Sequence, residues 1–214
     1  KDKSEPSVGA IKGDYSLLRL AGSWRIELVY GKFPENKSDN KSDNKSDNKN
    51  DIEKFIRAVK SYIFWAEEEF FKEKDYFNLR GQDNIVRYLP VKSMLIRLHE
   101  KDTLFETLAR IAAARIATVA ATVSIPEKLD NDVVKFLYTE KGKQVLGDTT
   151  IINESDKDLA SAILKYDRIR YASTDRVPDI IFKKAAETGI YISRADVMME
   201  GRIELIQYFR EQSI

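Results

Sequence analysis

Hydrophobic positions recur at three- and four-residue steps from Asp51 onward, which is the spacing of one face of an α-helix. The apolar stripe consists of Ile52, Phe55, Ile56, Val59, Tyr62, Ile63, Ala66 and Phe70. Charged side chains occupy much of the remaining helix surface. The pattern predicts a long amphipathic helix within residues 51–79, followed by a turn over residues 80–84.

After this turn, the hydrophobic pattern changes repeatedly between a period of two and a period of 3.6 residues. The predicted strands are 86–98, 119–125, 149–153, 168–172 and 190–193. The predicted helices are 104–117, 131–146, 155–165, one that opens at Asp175 and Pro178 and ends at Gly189, and 203–211. Strands that alternate with helices of this length are typical of a parallel sheet covered on both faces. We therefore predict a Rossmann-like α/β domain over residues 80–214.

The first 50 residues lack this organisation. In residues 1–35, glycines and prolines surround a short run at 24–30 that alternates weakly, which favours an exposed hairpin or a remnant strand. Residues 36–50 contain the unit KSDN three times, with balanced charges and no apolar side chain. Such a segment cannot contribute to a core, so we predict a flexible linker. A calcium loop would need a glycine and a closing glutamate that the repeat lacks.

Composition narrows the classes of function. The 36 basic and 35 acidic residues nearly cancel, so no broad electrostatic attraction to nucleic acid or to an anionic membrane is expected. Cysteine is absent, which excludes thiolate metal sites and a cysteine nucleophile. Arg110 and Arg115 interrupt the Ala/Ile-rich run closest to a membrane span. We expect a cytoplasmic protein without a transmembrane segment, and the repeat insertion suggests a fragment or a decayed reading frame.

Many doubly wound sheets bind nucleotides, and the phosphates then lie at the turn between the first strand and the first helix. The residues of this turn therefore show whether nucleotide binding is expected here. That turn spans residues 99–103, contains no glycine, and carries two acidic residues that would repel a pyrophosphate. Neither a G-x-G-x-x-G motif nor a phosphate-binding P-loop occurs in the chain. We therefore expect no cofactor in this chain, while mononucleotide binding in another crevice stays open.

His99 is the only histidine, and it follows the first predicted strand, where an α/β enzyme places a catalytic base. However, no serine lies in a G-x-S-x-G turn, and companion ligands for zinc are missing. We predict no catalytic or metal residue. An alternative is a small-molecule site at the carboxyl ends of the strands, where four side chains would converge: His99, Asp102, Asn153 and Arg194.

Two groups of basic residues leave further alternatives open. The arginines near the fourth and fifth predicted strands could bind an anion or form surface ion pairs: Arg168, Arg170, Arg176 and Arg194. A weaker alternative is a nucleic-acid surface, for which basic residues should alternate with aromatic ones. The nearest such set is Lys135, Phe136, Tyr138, Lys141 and Lys143.

Several separated motifs resemble the carboxy-terminal part of the bifunctional proline utilization A flavoenzymes. The motifs are RGQDN at 80–84, RYLP at 87–90, SIP at 124–126, GRIEL at 201–205 and REQS at 210–213. They occur in the same order as in that family, and the resemblance covers about residues 51–214. These enzymes join a proline dehydrogenase to an L-glutamate γ-semialdehyde dehydrogenase, and together convert proline to glutamate.

The resemblance implies an aldehyde-dehydrogenase-like domain that performs no catalysis itself. FAD and NAD would belong to the full-length relatives, and the isolated chain would be inactive. The implied partners are the catalytic proline dehydrogenase and aldehyde dehydrogenase domains, in cis or in trans. The predicted contact is the apolar helix face formed by Phe55, Val59, Tyr62, Ile63 and Phe70, which would be partly bare in the isolated chain and promote self-association.

Overall fold

The computed structural model describes residues 16–29, 43–76, 78–82 and 84–213, with the backbone alone at 43–47. The helices are α1 (Ser16–Val29), α2 (Asp43–Trp65), α3 (Leu104–Ile116), α4 (Asp132–Leu137), α5 (Glu140–Leu146), α6 (Asp156–Ala162), α7 (Asp179–Thr188) and α8 (Gly201–Glu204). The strands are β1 (Lys74–Asp75), β2 (Ile85–Pro90), β3 (Ser93–Arg97), β4 (Ala120–Pro126), β5 (Thr150–Glu154), β6 (Arg168–Arg170), β7 (Tyr191–Ser193) and β8 (Phe209–Ser213).

Five strands form a parallel sheet in the order β5-β4-β3-β6-β7, which confirms the predicted Rossmann-like architecture. β3 lies at the centre, where Ile96 is opposite both Val123 of β4 and Arg170 of β6. The continuous apolar run Met94-Leu95-Ile96 is typical of a strand that is buried on both faces. Helices cover both sides of this sheet.

The two faces of the sheet belong to two separate hydrophobic clusters. Met94 and Ile96 point to the face covered by α3, α4 and α5. Leu95 points to the other face, where it joins Leu159 of α6 and Ile181 of α7. This division follows from the alternation of side chains along a strand. α3 is buried almost all round, because α2 covers the side of α3 that faces away from the sheet.

A second, antiparallel sheet has the strand order β1-β2-β8. Its presence corrects two predictions. The predicted strand 86–98 is two strands, β2 in the antiparallel sheet and β3 in the parallel one, and the chain passes between the sheets at Val91, whose amide donates to the Tyr208 carbonyl at 3.0 Å. The predicted helix 203–211 ends at Tyr208 after a 3₁₀ turn, and Phe209 then pairs with Pro90.

The amino-terminal prediction is also corrected for the described residues. Residues 24–29 belong to helix α1 and not to a strand, because Leu17, Ala21 and Trp24 recur at helical spacing and are fully buried. The Trp24 ring packs on Phe55 of α2, with the ring centroids 5.4 Å apart. The weak alternation in this run was therefore less informative than the spacing of its largest side chains.

Helix α2 begins inside the KSDN repeat, at Asp43. The prediction of a linker is wrong for residues 43–50, while residues 36–42 lie outside the described part of the chain. Once a stable helix exists, adding further residues to it costs little, even when they bury no apolar surface. At its other end α2 stops at Trp65, and one π-helical turn leads to Phe70. Residues 74–75 form β1, so the helix is shorter than the predicted range of 51–79.

Most other predicted boundaries are confirmed within two residues, and several of the predicted capping groups are present. Thr103 and Glu106 form the predicted capping box of α3, and Gly189 ends α7 in the left-handed conformation. One predicted helix, 131–146, is broken. Thr139 starts α5 by accepting a hydrogen bond from the Gly142 amide at 3.1 Å, so α4 and α5 are separate. None of the helices in the described ranges is both long and apolar enough to span a bilayer.

Candidate functional site

The candidate site is a cleft at the carboxyl ends of the parallel strands. The chain leaves β3 toward β4 and β5 on one side, and returns on the other side through β6 and β7. Such a switch in direction opens a crevice where α/β proteins bind ligands. The cleft has a volume of about 250 Å³ and is lined by Arg97, Leu98, His99, Glu100, Pro126, Lys128, Leu129, Asp156, Tyr171, Arg176 and Pro178.

Arg97 forms one wall of the cleft from the last position of β3. Its side chain is buried, and one terminal nitrogen donates to Ser124 Oγ at 2.7 Å and to the Glu154 carbonyl at 3.1 Å. The other donates to Asp156 Oδ1 at 2.6 Å. The guanidinium therefore joins β3, β4 and the segment after β5, and its charge is neutralised by the protein's own carboxylate.

Behind this wall, Asp102 holds two arginines. It is buried, accepts from Arg110 of α3, and accepts from Arg176 at 2.7 Å. Arg176 also donates to both carboxylate oxygens of Glu106, at 2.8 and 3.0 Å. Burial alone would lower the pKa of Arg176, but the hydrogen bonds to Glu106 and Asp102 raise it. These groups form one charge-balanced network, which fixes the loop after β6 against α3.

Tyr171 contributes a buried polar group to the cleft. It follows β6, its side chain is 1% exposed, and its hydroxyl has no hydrogen-bond partner among the described residues. Burial raises the pKa of this hydroxyl, although the nearby charge of Arg97 acts in the opposite direction. A buried hydroxyl without a partner loses hydration free energy, so a group entering the cleft would gain by bonding to it.

The amino end of α3 is the place where a dinucleotide pyrophosphate binds in a Rossmann-type domain. Here three amides at this end of the helix are bonded to side chains of the protein. The amide of Phe105 donates to Asp51 Oδ2 at 3.1 Å, and the amide of Glu106 donates to Thr103 Oγ1 at 3.1 Å. The amide of Thr103 donates to Glu106 Oε2 at 2.7 Å. Two carboxylates thus occupy the position of the phosphates, and the residues present do not fit NAD.

The structure does not bring together the four side chains predicted to line one pocket. His99 lines the cleft, and its Nδ1 accepts from the Lys101 amide at 3.2 Å. Asp102 lies behind the cleft in the arginine network. Asn153 is exposed on edge strand β5, and the Arg194 guanidinium lies 4.9 Å from the centre of the Phe182 ring. Neither lines the cleft, so the predicted convergence is wrong, because the strand ends diverge across a twisted sheet.

The predicted interface is also corrected. Phe55, Val59, Tyr62, Ile63 and Phe70 are all buried inside the chain, at exposed fractions of 7% or less. Their stripe packs on other parts of the same chain, including α1, α3 and α8, and therefore forms core and not a bare contact face. The sequence showed the stripe correctly, but not which neighbouring element covers it.

Sequence reasoning missed the central role of buried arginines. Arg97 interrupts the apolar run of β3 and Arg110 interrupts the apolar run of α3, and a charge in such a place needs a buried partner. That signal was present in the sequence. Of the arginines considered for anion binding, Arg176 and Arg170 are paired with carboxylates, and the pair of Arg170 with Glu204 at 2.8 Å is buried, not on the surface. Arg168 donates to the carbonyls of Gln207 and Phe209.

No protein-family model matches the sequence, and no curated protein gives a significant match. Solved structures do match the fold. Proline Utilization A from Corynebacterium freiburgense aligns with a TM-score of 0.51 and 18% identity over 85% of this chain. A salicylaldehyde dehydrogenase from Pseudomonas putida G7 aligns with a TM-score of 0.58 and 15% identity over 83% of it. A point mutant of betaine aldehyde dehydrogenase from Staphylococcus aureus aligns with a TM-score of 0.56 and 12% identity over 83%.

The chain covers only part of each of these proteins. It spans 15% of the Proline Utilization A chain, 38% of the salicylaldehyde dehydrogenase and 36% of the betaine aldehyde dehydrogenase. At sequence identities this low, the similarity to these structures shows the fold and not the function. The structure is therefore a mixed α/β domain with a five-stranded parallel sheet, and its fold is similar to that of these aldehyde dehydrogenase structures.

Proposed function

We propose that this chain is a non-catalytic domain of the aldehyde dehydrogenase fold that acts as a structural part of a proline-oxidising assembly. The observation that carries the proposal is the amino end of α3, where Asp51 and Glu106 occupy the backbone amides that a dinucleotide would need. This observation supports a scaffold role, because side chains of the protein itself bond the amides that would face the cofactor, while the parallel sheet is retained.

Two further observations support this proposal. The sequence of this chain contains no cysteine, so the chain itself has no thiol nucleophile for aldehyde oxidation. The motifs over residues 80–84 and 201–205 resemble those of proline utilization A enzymes. One such enzyme has a similar fold in a region that makes up 15% of its length. The remainder of such an enzyme would supply the proline dehydrogenase and semialdehyde dehydrogenase domains, in cis or in trans.

The surface that would meet a catalytic partner lies around α8 and the end of α2, where large apolar side chains are exposed: Phe64, Met198, Met199, Ile203 and Ile206. The segment that contains α8 lies against the end of α2, because Gly201 packs against the backbone of Ser61 and the Tyr62 hydroxyl donates to the Met198 carbonyl. We call these five residues the α8 patch. A cluster of exposed apolar side chains of this size is typical of an interaction surface.

The first test is a calorimetric titration of the purified chain with NAD⁺. We expect no binding heat up to about 1 mM NAD⁺, because the amides of Thr103, Phe105 and Glu106 at the amino end of α3 already donate to side chains of the protein. A heat of binding that disappears when ADP-ribose competes for the site would contradict the proposal.

The proposal also predicts the genomic context of the gene. We expect an adjoining reading frame for a proline dehydrogenase or for a cysteine-bearing aldehyde dehydrogenase. Unrelated neighbouring genes would count against the proposal.

The second test measures the association state of the chain by sedimentation velocity over a wide concentration range. Without its partner, the chain should self-associate through the α8 patch, and the double variant Phe64→Ser, Ile203→Ser should shift the equilibrium to monomer. The matched control is Phe182→Ser on α7, which is also exposed but lies outside the patch. A wild-type chain that stays a monodisperse monomer at high concentration would argue against an assembly role.

A second candidate function is the binding of a small polar molecule in the cleft. Two groups favour it: the buried Tyr171 hydroxyl without a partner, and Lys128, which forms no ion pair with any described residue. Most other charges in the cleft are neutralised by each other. A ligand would therefore be small, and would present a hydrogen-bond acceptor to Lys128 and Tyr171.

This candidate is tested by titrating acetate and propionate while recording backbone amide shifts by NMR. Binding should produce saturable shifts confined to residues around His99, Lys128 and Tyr171, and Tyr171→Phe should weaken them. Shifts spread over the whole surface, or no change in the Tyr171→Phe variant, would remove this candidate.

A further inference from the structure

A groove between α1 and α2 concentrates positive charge in a molecule that is otherwise almost neutral. It has a volume of about 390 Å³ and is lined by Arg25, Leu28, Val29, Lys49, Glu53, Ile56, Arg57 and Lys60. Among the described residues that line it, four cations therefore face one carboxylate, while the whole chain carries a net charge of only +1. This positive charge is confined to the groove, which is separate from both the cleft and the α8 patch.

The four cations of the groove differ from most arginines of the domain in having no partner within the part of the chain that the structure describes. None of Arg25, Lys49, Arg57 and Lys60 forms an ion pair or a side-chain hydrogen bond with a described residue. By contrast, Arg97, Arg110, Arg170 and Arg176 are all paired with carboxylates. A set of unpaired like charges repels itself, so the free energy of the groove would fall if an anionic group entered it.

The floor of the groove is apolar. Ile56 is buried at its base, Leu28 is half-buried, and Val29 is 75% exposed at its edge. On α2 the basic side chains follow one stripe from Lys49 to Lys60, which extends for about 16 Å at the rise of an α-helix. The groove thus offers an apolar strip with cations along its sides.

We propose that this groove binds an acidic, amphipathic peptide segment of a partner protein. The carboxylates of the peptide would pair with Arg25, Arg57 and Lys60, and its apolar side chains would cover Val29 and Leu28. Six of the eight lining residues are exposed, so the groove is too open to enclose a small ligand. A peptide can also reach the apolar floor between two helices, which the flat surface of a membrane cannot. This proposal does not depend on the scaffold role.

The test uses the full chain and a fluorescein-labelled peptide of about 16 residues with Leu and Glu at helical spacing, followed by fluorescence anisotropy. A matched peptide carries Gln at every Glu position. We expect saturable binding that weakens with added salt, and at least about ten-fold weaker binding of the Gln peptide, because that peptide can form none of the ion pairs with the groove. Equal binding of the two peptides, or no binding of the Glu peptide, would overturn the proposal.

Two charge-reversed variants of equal net charge separate the groove from general electrostatics. Arg57→Glu with Lys60→Glu should weaken peptide binding about ten-fold or more. The control, Lys157→Glu with Lys183→Glu, changes two exposed lysines of α6 and α7 and should leave the affinity within about two-fold. If the groove variant does not fold, the neutral pair Arg25→Gln with Lys49→Gln replaces it. Equal losses in the groove variant and the control would refute the groove as the site.

A binding experiment with lipid vesicles tests whether the groove binds an anionic membrane instead of an acidic peptide. Vesicles of phosphatidylcholine with phosphatidylserine should not bind the chain under conditions in which the Glu peptide does. If the vesicles bind, and the groove variant abolishes that binding while the peptide does not bind at all, the occupant is an anionic membrane and the peptide proposal is wrong.

Discussion

The buried arginines are the residues on which the interior of this domain depends. Arg97, Arg110 and Arg170 are almost completely buried, and each ends at a carboxylate or at backbone carbonyls. A buried charge is tolerated only when its partners replace the water it has lost. Asp102 is central to this arrangement, because its carboxylate forms ion pairs with both Arg110 and Arg176.

Replacing Asp102 by alanine should therefore be far more harmful than removing an exposed carboxylate. The change leaves Arg110 buried without its anion, and we expect the free energy of unfolding to fall by about 3–5 kcal/mol. Urea denaturation measures this. The matched control is Glu187→Ala, which removes the partner of Lys184 on the surface of α7 and should change stability by less than about 0.5 kcal/mol. Similar effects of the two variants would show that Asp102 does not hold the network together.

Three buried tyrosines make stability sensitive to alkaline pH. Burial raises the pKa of Tyr62, Tyr171 and Tyr208, and the charge of Glu204 raises the pKa of Tyr62 and Tyr208 further. An unfolded chain loses its tyrosine protons near pH 10, while the folded chain retains them. Their contribution is therefore fully present below about pH 10 and is lost as the pH rises toward the folded pKa values.

We expect the urea midpoint to fall steeply between about pH 9.5 and pH 11. In Tyr171→Phe the decline should be shallower, because one of the three raised groups is absent. This variant should cost little at neutral pH, since the hydroxyl has no hydrogen-bond partner among the described residues. A midpoint that is constant up to pH 11 would contradict the account of these three groups.

For individual residues, the sequence predicted only those interactions whose partners lie within a few positions of each other. Thr103 with Glu106, and Gly189 after α7, were predicted because capping depends on neighbours in the sequence. The partners of Arg97 and Arg170 could not be predicted. Asp156 follows Arg97 by 59 positions and Glu204 follows Arg170 by 34, and only the folded chain brings these pairs together.

At the scale of elements, the position of α8 on α2 depends on one glycine. A Cβ on Gly201 would lie 2.5 Å from the Ser61 carbonyl oxygen and 2.8 Å from Tyr62 Cα, which are backbone atoms that cannot move independently of α2. The Gly201 amide also donates to Ser61 Oγ at 2.9 Å. The two helices can approach this closely only because the residue has no side chain.

Gly201→Ala should separate these helices and lower the free energy of unfolding by about 1–3 kcal/mol, the usual cost of overpacking. Gly22→Ala is the matched control, because Gly22 lies in α1 with nothing within 4 Å of a Cβ. Alanine there should stabilise the helix by about 0.5–1 kcal/mol. Thermal and urea denaturation of the two variants give the comparison, and equal stabilities would refute the role of the close contact.

The two elements that sequence analysis misread have different causes. The helical character of residues 16–29 depends on packing against another element, as in the contact of Trp24 with Phe55, and the weak alternation at residues 24–30 gave no indication of it. The break between α4 and α5 has a local cause, because Thr139 caps α5 through the Gly142 amide three residues later. Long segments with strong periodicity, such as α3, were predicted correctly because their own pattern determines both the helix and its buried face.

At the scale of the whole molecule, the parallel sheet was predictable and the antiparallel sheet was not. The alternation of strands and helices after residue 93 requires crossovers, and crossovers lead to a parallel sheet. β2 and β8 pair across more than 100 residues, as in Tyr88 opposite Glu211, and no local pattern predicts that pairing. The same limit applies to the cleft, whose position followed from the topology while its lining residues did not.

The central proposal is that this chain has a fold similar to that of aldehyde dehydrogenases but does not catalyse their reaction. It is tested most directly by incubating the purified full chain with NAD⁺ and either glutamate γ-semialdehyde or propionaldehyde, and following NADH by its absorbance, beside an active aldehyde dehydrogenase as positive control. We predict no NADH formation above the rate without protein. Turnover that purifies with the chain and is lost when Arg97 or His99 is replaced would contradict the claim.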